Sequence, residues 1–302
     1  MRVNSISIKS VVIFILLLLG SSLNAQQREY FQRNSFWTET VINGKIGGKF
    51  KWQLDYQYRR MSDPDDVSNA TGNLFKYKFQ HVYRPWIHYQ LNESVRLSLS
   101  PLGFWETWTP PSEGGGKTLI QPEFRICPQL TLSNKIGRVM IDQRYRYEFR
   151  YIGTKVADTS GGVGYGMGLD FPSNNYKMRM RYFLRATIPL GKHTTLEDKT
   201  FYIVTWNEVF LGLGENTNNN KLWDQNRTFC LLGYKPKMKY PMRFELGYGL
   251  QVANRVSSSY NSVTNQLVET GHKIEKNNIM QVYVIFENFN LFFKKKKAEV
   301  KI

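Results

Sequence analysis

Residues 138–151 read RVMIDQRYRYEFRY. Val139, Ile141, Tyr145, Tyr147, Phe149 and Tyr151 take alternate positions, with Asp142, Arg144, Arg146, Glu148 and Arg150 between them. Successive side chains of a strand point to opposite faces, so the stretch predicts a strand with one greasy and one charged face. Two architectures use such a strand. A soluble sheet turns its charged face to water, whereas a membrane barrel turns the apolar face to lipid and wraps the charged face around a lumen. Taken by itself, the stretch fits both.

The same alternation recurs on either side. In 49–60, Phe50, Trp52, Leu54, Tyr56 and Tyr58 oppose Lys51, Gln53, Asp55, Gln57 and Arg59. In 118–133, Ile120, Phe124, Ile126, Leu130 and Leu132 oppose Gln121, Glu123, Arg125 and Gln129. In 176–190, Met178, Met180, Tyr182, Leu184 and Ile188 oppose Lys177, Arg179, Arg181 and Arg185. Stretches 36–43, 74–91, 95–108, 242–253 and 278–292 also read as strands, while 200–211 and 224–235 are strand-like but less regular.

Two regularities select the barrel. The segments are about 10 to 16 residues long, against roughly 5 or 6 for a globular strand and about 9 to 11 for a membrane-crossing one. Short connections (44–48, 92–94, 134–137, 191–198, 236–240) alternate with long ones (61–73, 109–117, 153–175, 213–222, 256–274). Outer-membrane barrels have short periplasmic turns and long outer loops. A secreted sandwich has no reason to sort loops by length. The expected fold is therefore all-β: a closed, antiparallel, up-and-down transmembrane barrel over 26–293. Eleven strands are clear, but bacterial barrels have even numbers. Residues 28–34 are the candidate for a twelfth, and ten strands is the fallback.

Composition agrees. Mean hydropathy is −0.44, which excludes a helical membrane protein but not a barrel, where every second strand residue suffices. Aromatics reach 15% of 302 residues and the formal charge is +17. Arg2, Lys9, the apolar run 11–19 and Ala25 read as a cleaved signal peptide over 1–25, the run being too short to span a bilayer. Removing it leaves about +15, still strongly basic. The basic run Lys294–Lys297 then belongs to a periplasmic tail, 294–302. Cys127 and Cys230 fall in strand-like runs and are expected as buried, unpaired thiols.

A two-residue turn near Ile136-Gly137 would set Glu123 opposite Arg150 and Arg125 opposite Glu148 across one ladder. The expected lumen network comprises Glu123, Arg125, Asp142, Arg144, Arg146, Glu148, Arg150, Arg179, Arg181 and Arg185. Such residues can be packing pairs that plug the interior, or, given the surplus of arginine, an anion-attracting constriction.

The run from Gln143 to Tyr151, Asn207-Glu208 before Phe210, and Trp223-Asp224-Gln225-Asn226-Arg227 resemble motifs of domain-of-unknown-function family 2490, exported proteins of Gram-negative bacteria. The likeness covers the chain from about Trp37 onward. It implies an outer-membrane β-barrel and brings no substrate and no catalytic residue.

Catalytic signals are weak. His81, His88, His193 and His272 lack metal-ligand spacing, and no GxSxG motif occurs. Ser98 or Ser100 could meet His88 across a hairpin. Gly161–Gly168 lacks the Lys-Ser/Thr of a phosphate loop, and no cofactor or metal is expected. Aromatics and charges lie on opposite strand faces, which excludes a nucleic-acid stacking platform. Outer-membrane lipids and lipopolysaccharide are the expected surroundings, with protein partners unspecified. Trp52, Trp86, Trp105, Trp108 and Trp206 lie near strand ends, as in interfacial girdles. The expectation is a non-catalytic outer-membrane barrel for envelope structure, docking or narrow passage of small anions. The alternative is an outer-membrane enzyme acting on lipid or lipopolysaccharide acyl chains.

Overall fold

The computed structural model describes residues 29–64, 73–158, 171, 175–214, 222–261 and 266–290, without the side chains of 29 and 256–272. The expected signal peptide, the Gly161–Gly168 run and the expected basic tail lie outside the described residues.

The strands are β1 (Glu29–Gly47), β2 (Phe50–Met61), β3 (Tyr77–Gln90), β4 (Val95–Thr109), β5 (Leu119–Ile136), β6 (Val139–Ile152), β7 (Val156–Ala157), β8 (Tyr176–Pro189), β9 (Thr200–Leu213), β10 (Trp223–Lys235), β11 (Met242–Asn261) and β12 (Gln266–Phe286). All except β7 pair with both neighbours and close into a barrel; β7 adds two residues beside β5. Sequential pairs are antiparallel, and the ring is sealed by β1 against β12 in parallel, from Glu29↔Lys273 to Ile42↔Phe286.

The sheet thus has twelve strands, of which eleven long ones close the wall and β7 is the twelfth. Residues 29–34 form the first part of β1, with no separate strand. An odd number of alternating strands ends in the direction in which it began, so closure requires one parallel pair. The described chain enters at the long-loop end and leaves at the short-loop end. Beyond the seam Asn290 continues the ladder with its side chain: its Oδ1 accepts from Lys45 N (2.7 Å) and its Nδ2 donates to Lys45 O (2.9 Å). Stretch 256–274, expected as a long loop, belongs mostly to β11 and β12, which extend to Asn261 and Gln266.

Proline cannot donate to a ladder and is tolerated where pairing is interrupted. Pro85 and Pro101 sit where β3–β4 pairing breaks between Tyr83 and Ile87, and β4–β5 pairing breaks between Ser100 and Gly103.

The alternation is realised with charges inward. Tyr83, Ile87, Leu97, Ile126, Tyr147, Leu184, Leu232, Leu246 and Met280 point outward, each 38–54% exposed, whereas Arg146 is 3% and Glu148 0% exposed. A sandwich would bury the rings and wet the arginines; this barrel does the opposite. Part of the interior is apolar. Trp37, Tyr202, Val204, Trp206, Phe229, Leu231 and Ile279 form one buried cluster, and Val82, Trp86, Trp105 and Cys127 another. Glycine makes room for the first: a Cβ on Gly249 would lie 2.3 Å from the Phe229 ring, and one on Gly233 would lie 2.2 Å from the Tyr202 ring. Cys127 is buried, but Cys230, at an outward position of β10, is exposed, contrary to expectation.

Candidate functional site: an arginine-lined lumen

The register of β5 and β6 differs from expectation by two residues. Arg125 pairs with Arg150, and Glu123 with Ile152. The turn residues are Gly137 and Arg138, because Gly137 takes φ 59° at the first turn position, where two-residue hairpins favour glycine. The ion pairs nevertheless form diagonally. Glu123 Oε1 accepts from Arg150 Nε and Arg125 Nε, both at 2.6 Å, and Arg125 Nη1 reaches Glu148 Oε2 at 3.3 Å. Long side chains bridge diagonal neighbours, which is why the like pair Arg125–Arg150 is tolerated.

Glu148 is the hub. Its Oε2 accepts from Arg179 Nη2 (2.5 Å) and its Oε1 from Arg181 Nη1 (2.5 Å), with Arg146 at 4.0 Å. Arg179 also donates to Asp224 (2.9 Å). Glu208 accepts from Arg181 Nη2 (2.7 Å) and Arg144 Nη2 (2.7 Å), and Glu245 from Arg185 Nη2 (2.6 Å) and Tyr202 OH (3.1 Å). Asp142 accepts from Ser133 Oγ (2.5 Å) and makes no ion pair among the described residues. A second centre is Asp55, whose Oδ2 accepts from Arg84 Nη2 (2.7 Å) and Trp86 Nε1 (2.9 Å). Such pairing is what burial of charge demands.

Between these centres lies a cavity of about 620 Å³, lined by thirteen arginines but only six carboxylates. Glu148 and Glu245, which pair behind the lining, leave the balance positive. Four lining arginines lack a close carboxylate, among them Arg96, whose buried Nε has no acceptor among the described residues. Arg59 donates only to amides, Gln80 (2.9 Å) and Gln57 (2.5 Å). Arg146 donates Nε to Gln129 (2.8 Å), and its buried Nη1, 4.0 Å from Glu148, has no hydrogen-bond partner. Arg227 has no carboxylate within 4.0 Å among the described residues, and its buried Nε has no acceptor. Aromatic faces offset part of this: Arg59 lies 4.0 Å and Arg227 5.0 Å from the Trp37 ring centroid, and Arg146 lies 4.7 Å from that of Trp86. Sharing one ring keeps Arg59 and Arg227 within about 9 Å of each other, a repulsion of about 2 kcal/mol at an effective dielectric of about 20.

Arg59, Glu208, Asp224, Arg227 and Glu245 were absent from the expected network. Arg59 follows the parity of β2, and Glu245 that of β11. Glu208 and Arg227 lie on β9 and β10, whose inner faces also carry Trp206, Phe210 and Phe229; with rings on both faces the alternation fades. The tryptophans also depart from the girdle pattern. Trp86, Trp105 and Trp206 line the cavity with Trp37, Trp108 is buried, and only Trp52 keeps a half-buried outer position. Inside the barrel Trp86 donates its N–H to Asp55, and the ring faces of Trp37, Trp86 and Trp105 receive arginines.

His88 and Ser98 face each other across β3–β4, with Nδ1 2.8 Å from Oγ. His88 Nε2 lies 3.1 Å from Gln53 Oε1, and Gln53 Nε2 donates to Asp55 Oδ1 (2.5 Å). The carboxylate orients the amide, so Nε2 carries the imidazole proton and Ser98 donates to Nδ1. No group of three His, Cys, Asp or Glu among the described residues could hold a metal.

Fold and site together define a class: closed β-barrels whose lumen is filled by a buried arginine–carboxylate network. Residues 34–262 match a family described as "Protein of unknown function (DUF2490)", and the chain belongs to that family. No curated protein and no solved structure matches it.

Proposed function

We propose that the protein is an outer-membrane β-barrel of a Gram-negative bacterium whose lumen holds and slowly passes small anionic solutes. The observation that carries this reading is the excess of arginines over carboxylates around the cavity. Fixed positive charge in a low-dielectric cavity attracts anions and repels cations. The exposed apolar residues encircling the wall support the membrane setting, since soluble monomers rarely expose such contiguous apolar surface. Strands of 12 to 21 residues exceed what a bilayer crossing needs. Outer-membrane lipids and lipopolysaccharide are then the surroundings. Membrane fractionation, followed by reversal potentials of the purified protein in planar bilayers under a salt gradient, tests the reading. Small, anion-selective conductance is expected. A purely structural or docking role gives none, and cation selectivity sinks the proposal.

A second reading, an enzyme acting on acyl chains, has one observation in its favour: the His88–Ser98 hydrogen bond. Both residues are buried, and His88 lines the cavity, away from the outer apolar surface. Covalent labelling of Ser98 by a fluorophosphonate, abolished in His88→Ala, would support it; an unreactive Ser98 removes it.

A further inference from the structure

We propose that Arg59 and Arg227 form the binding site of a small oxyanion of the phosphate or carboxylate kind, seated in the lumen beside Trp37. The inference rests on the anion reading above and names where the anion sits.

Most arginines around the cavity are satisfied. Arg84, Arg125, Arg144, Arg150, Arg179, Arg181 and Arg185 each reach a carboxylate within 3.3 Å. Arg59, Arg96 and Arg227 do not; of these only Arg59 and Arg227 share a ring, and a carboxylate stands near Arg227. Glu208 is its direct partner across β9–β10, yet gives its oxygens to Arg181 and Arg144. The two guanidiniums approach one tryptophan ring and repel one another, and each keeps a buried, unpartnered Nε. Arg59 is 8% exposed. Buried like charges with no carboxylate in direct contact are unfavourable. An anion between them removes that penalty. Guanidinium N–H forks match carboxylate and phosphate oxygens, which names the ligand chemistry. The cavity beside them is far larger than one such ion.

The test uses the full-length barrel folded in detergent and exchanged into low-anion buffer. Thermal unfolding is followed by tryptophan fluorescence while inorganic phosphate or succinate is titrated. Wild type is expected to show a saturable rise in midpoint, since a ligand that binds only the folded state stabilises it. Arg227→Gln and Arg59→Gln should each weaken apparent affinity at least tenfold, while Lys135→Gln at the exposed end of β5 leaves it unchanged. Absence of a saturable rise in wild type overturns the site, as does equal affinity in Arg227→Gln. Should that variant not fold, Arg227→Lys, which keeps the charge and loses the fork, is titrated in its place; unchanged affinity there also overturns the site. The bilayer measurement separates the two claims. Saturable binding without conductance retains the site and removes passage, whereas anion-selective conductance without saturable binding does the reverse.

Discussion

Glu208 stands directly across the β9–β10 ladder from Arg227, yet its carboxylate is held by Arg144 and Arg181, both at 2.7 Å, from β6 and β8. The nearest cation along the wall is thus not the one it neutralises. Charge pairing in this lumen runs around the ring, and Arg227 is what remains when the acids are shared out.

The same sharing makes Glu148 the most sensitive position. It is fully buried and contacts Arg125, Arg179 and Arg181. Glu148→Gln keeps the shape and removes the charge, leaving buried cations uncompensated. A loss of about 3–5 kcal/mol is expected, read as a lower urea midpoint in detergent by tryptophan fluorescence. A change under about 1 kcal/mol would show that the hub is dispensable.

The membrane setting can be tested at one outward residue. Leu184 lies mid-strand on β8, 41% exposed. Leu184→Arg should cost about 2–4 kcal/mol for folding into lipid bilayers. The same change on a water-facing wall would be nearly neutral, within about 0.5 kcal/mol. A neutral result in vesicles counts against the lipid-facing assignment.

Inside, Gly249 should tolerate no side chain while Phe229 stays in place, because the added Cβ would sit 2.3 Å from the ring. Gly249→Ala is expected to cost about 1–3 kcal/mol through overpacking. Combined with Phe229→Ala, the loss should be less than additive by at least about 0.5 kcal/mol. Strict additivity in a double-mutant cycle would mean the two do not compete for space.

Gly137 sets the β5–β6 register at φ 59°. Gly137→Ala should destabilise by about 1–2 kcal/mol, since an L-residue pays a steric cost there. Gly137→Asn should lose less, because asparagine visits this conformation more readily. Equal losses would indicate that the turn rearranges.

Much of this architecture was legible in one dimension. Alternation in 49–60, 118–133 and 138–151 assigned strands and told which side chains share a face, because strand periodicity is local. Nine of the ten expected network residues form ion pairs in the lumen, while Asp142 lies beside the cavity without one. Alternation failed on β9 and β10, where an interior also packed with rings erases the contrast between faces.

What the sequence by itself determined, then, is the strand pattern and the inward set of charges. Both follow from covalent geometry, which throws successive side chains to opposite sides. Only the tertiary structure decided the eleven-strand closure, the parallel β1–β12 seam and the two-residue register shift. It alone also decided which arginines go without a carboxylate. Closure is a property of the whole ring, and long side chains choose partners across strands far apart in sequence, so no local pattern carries either.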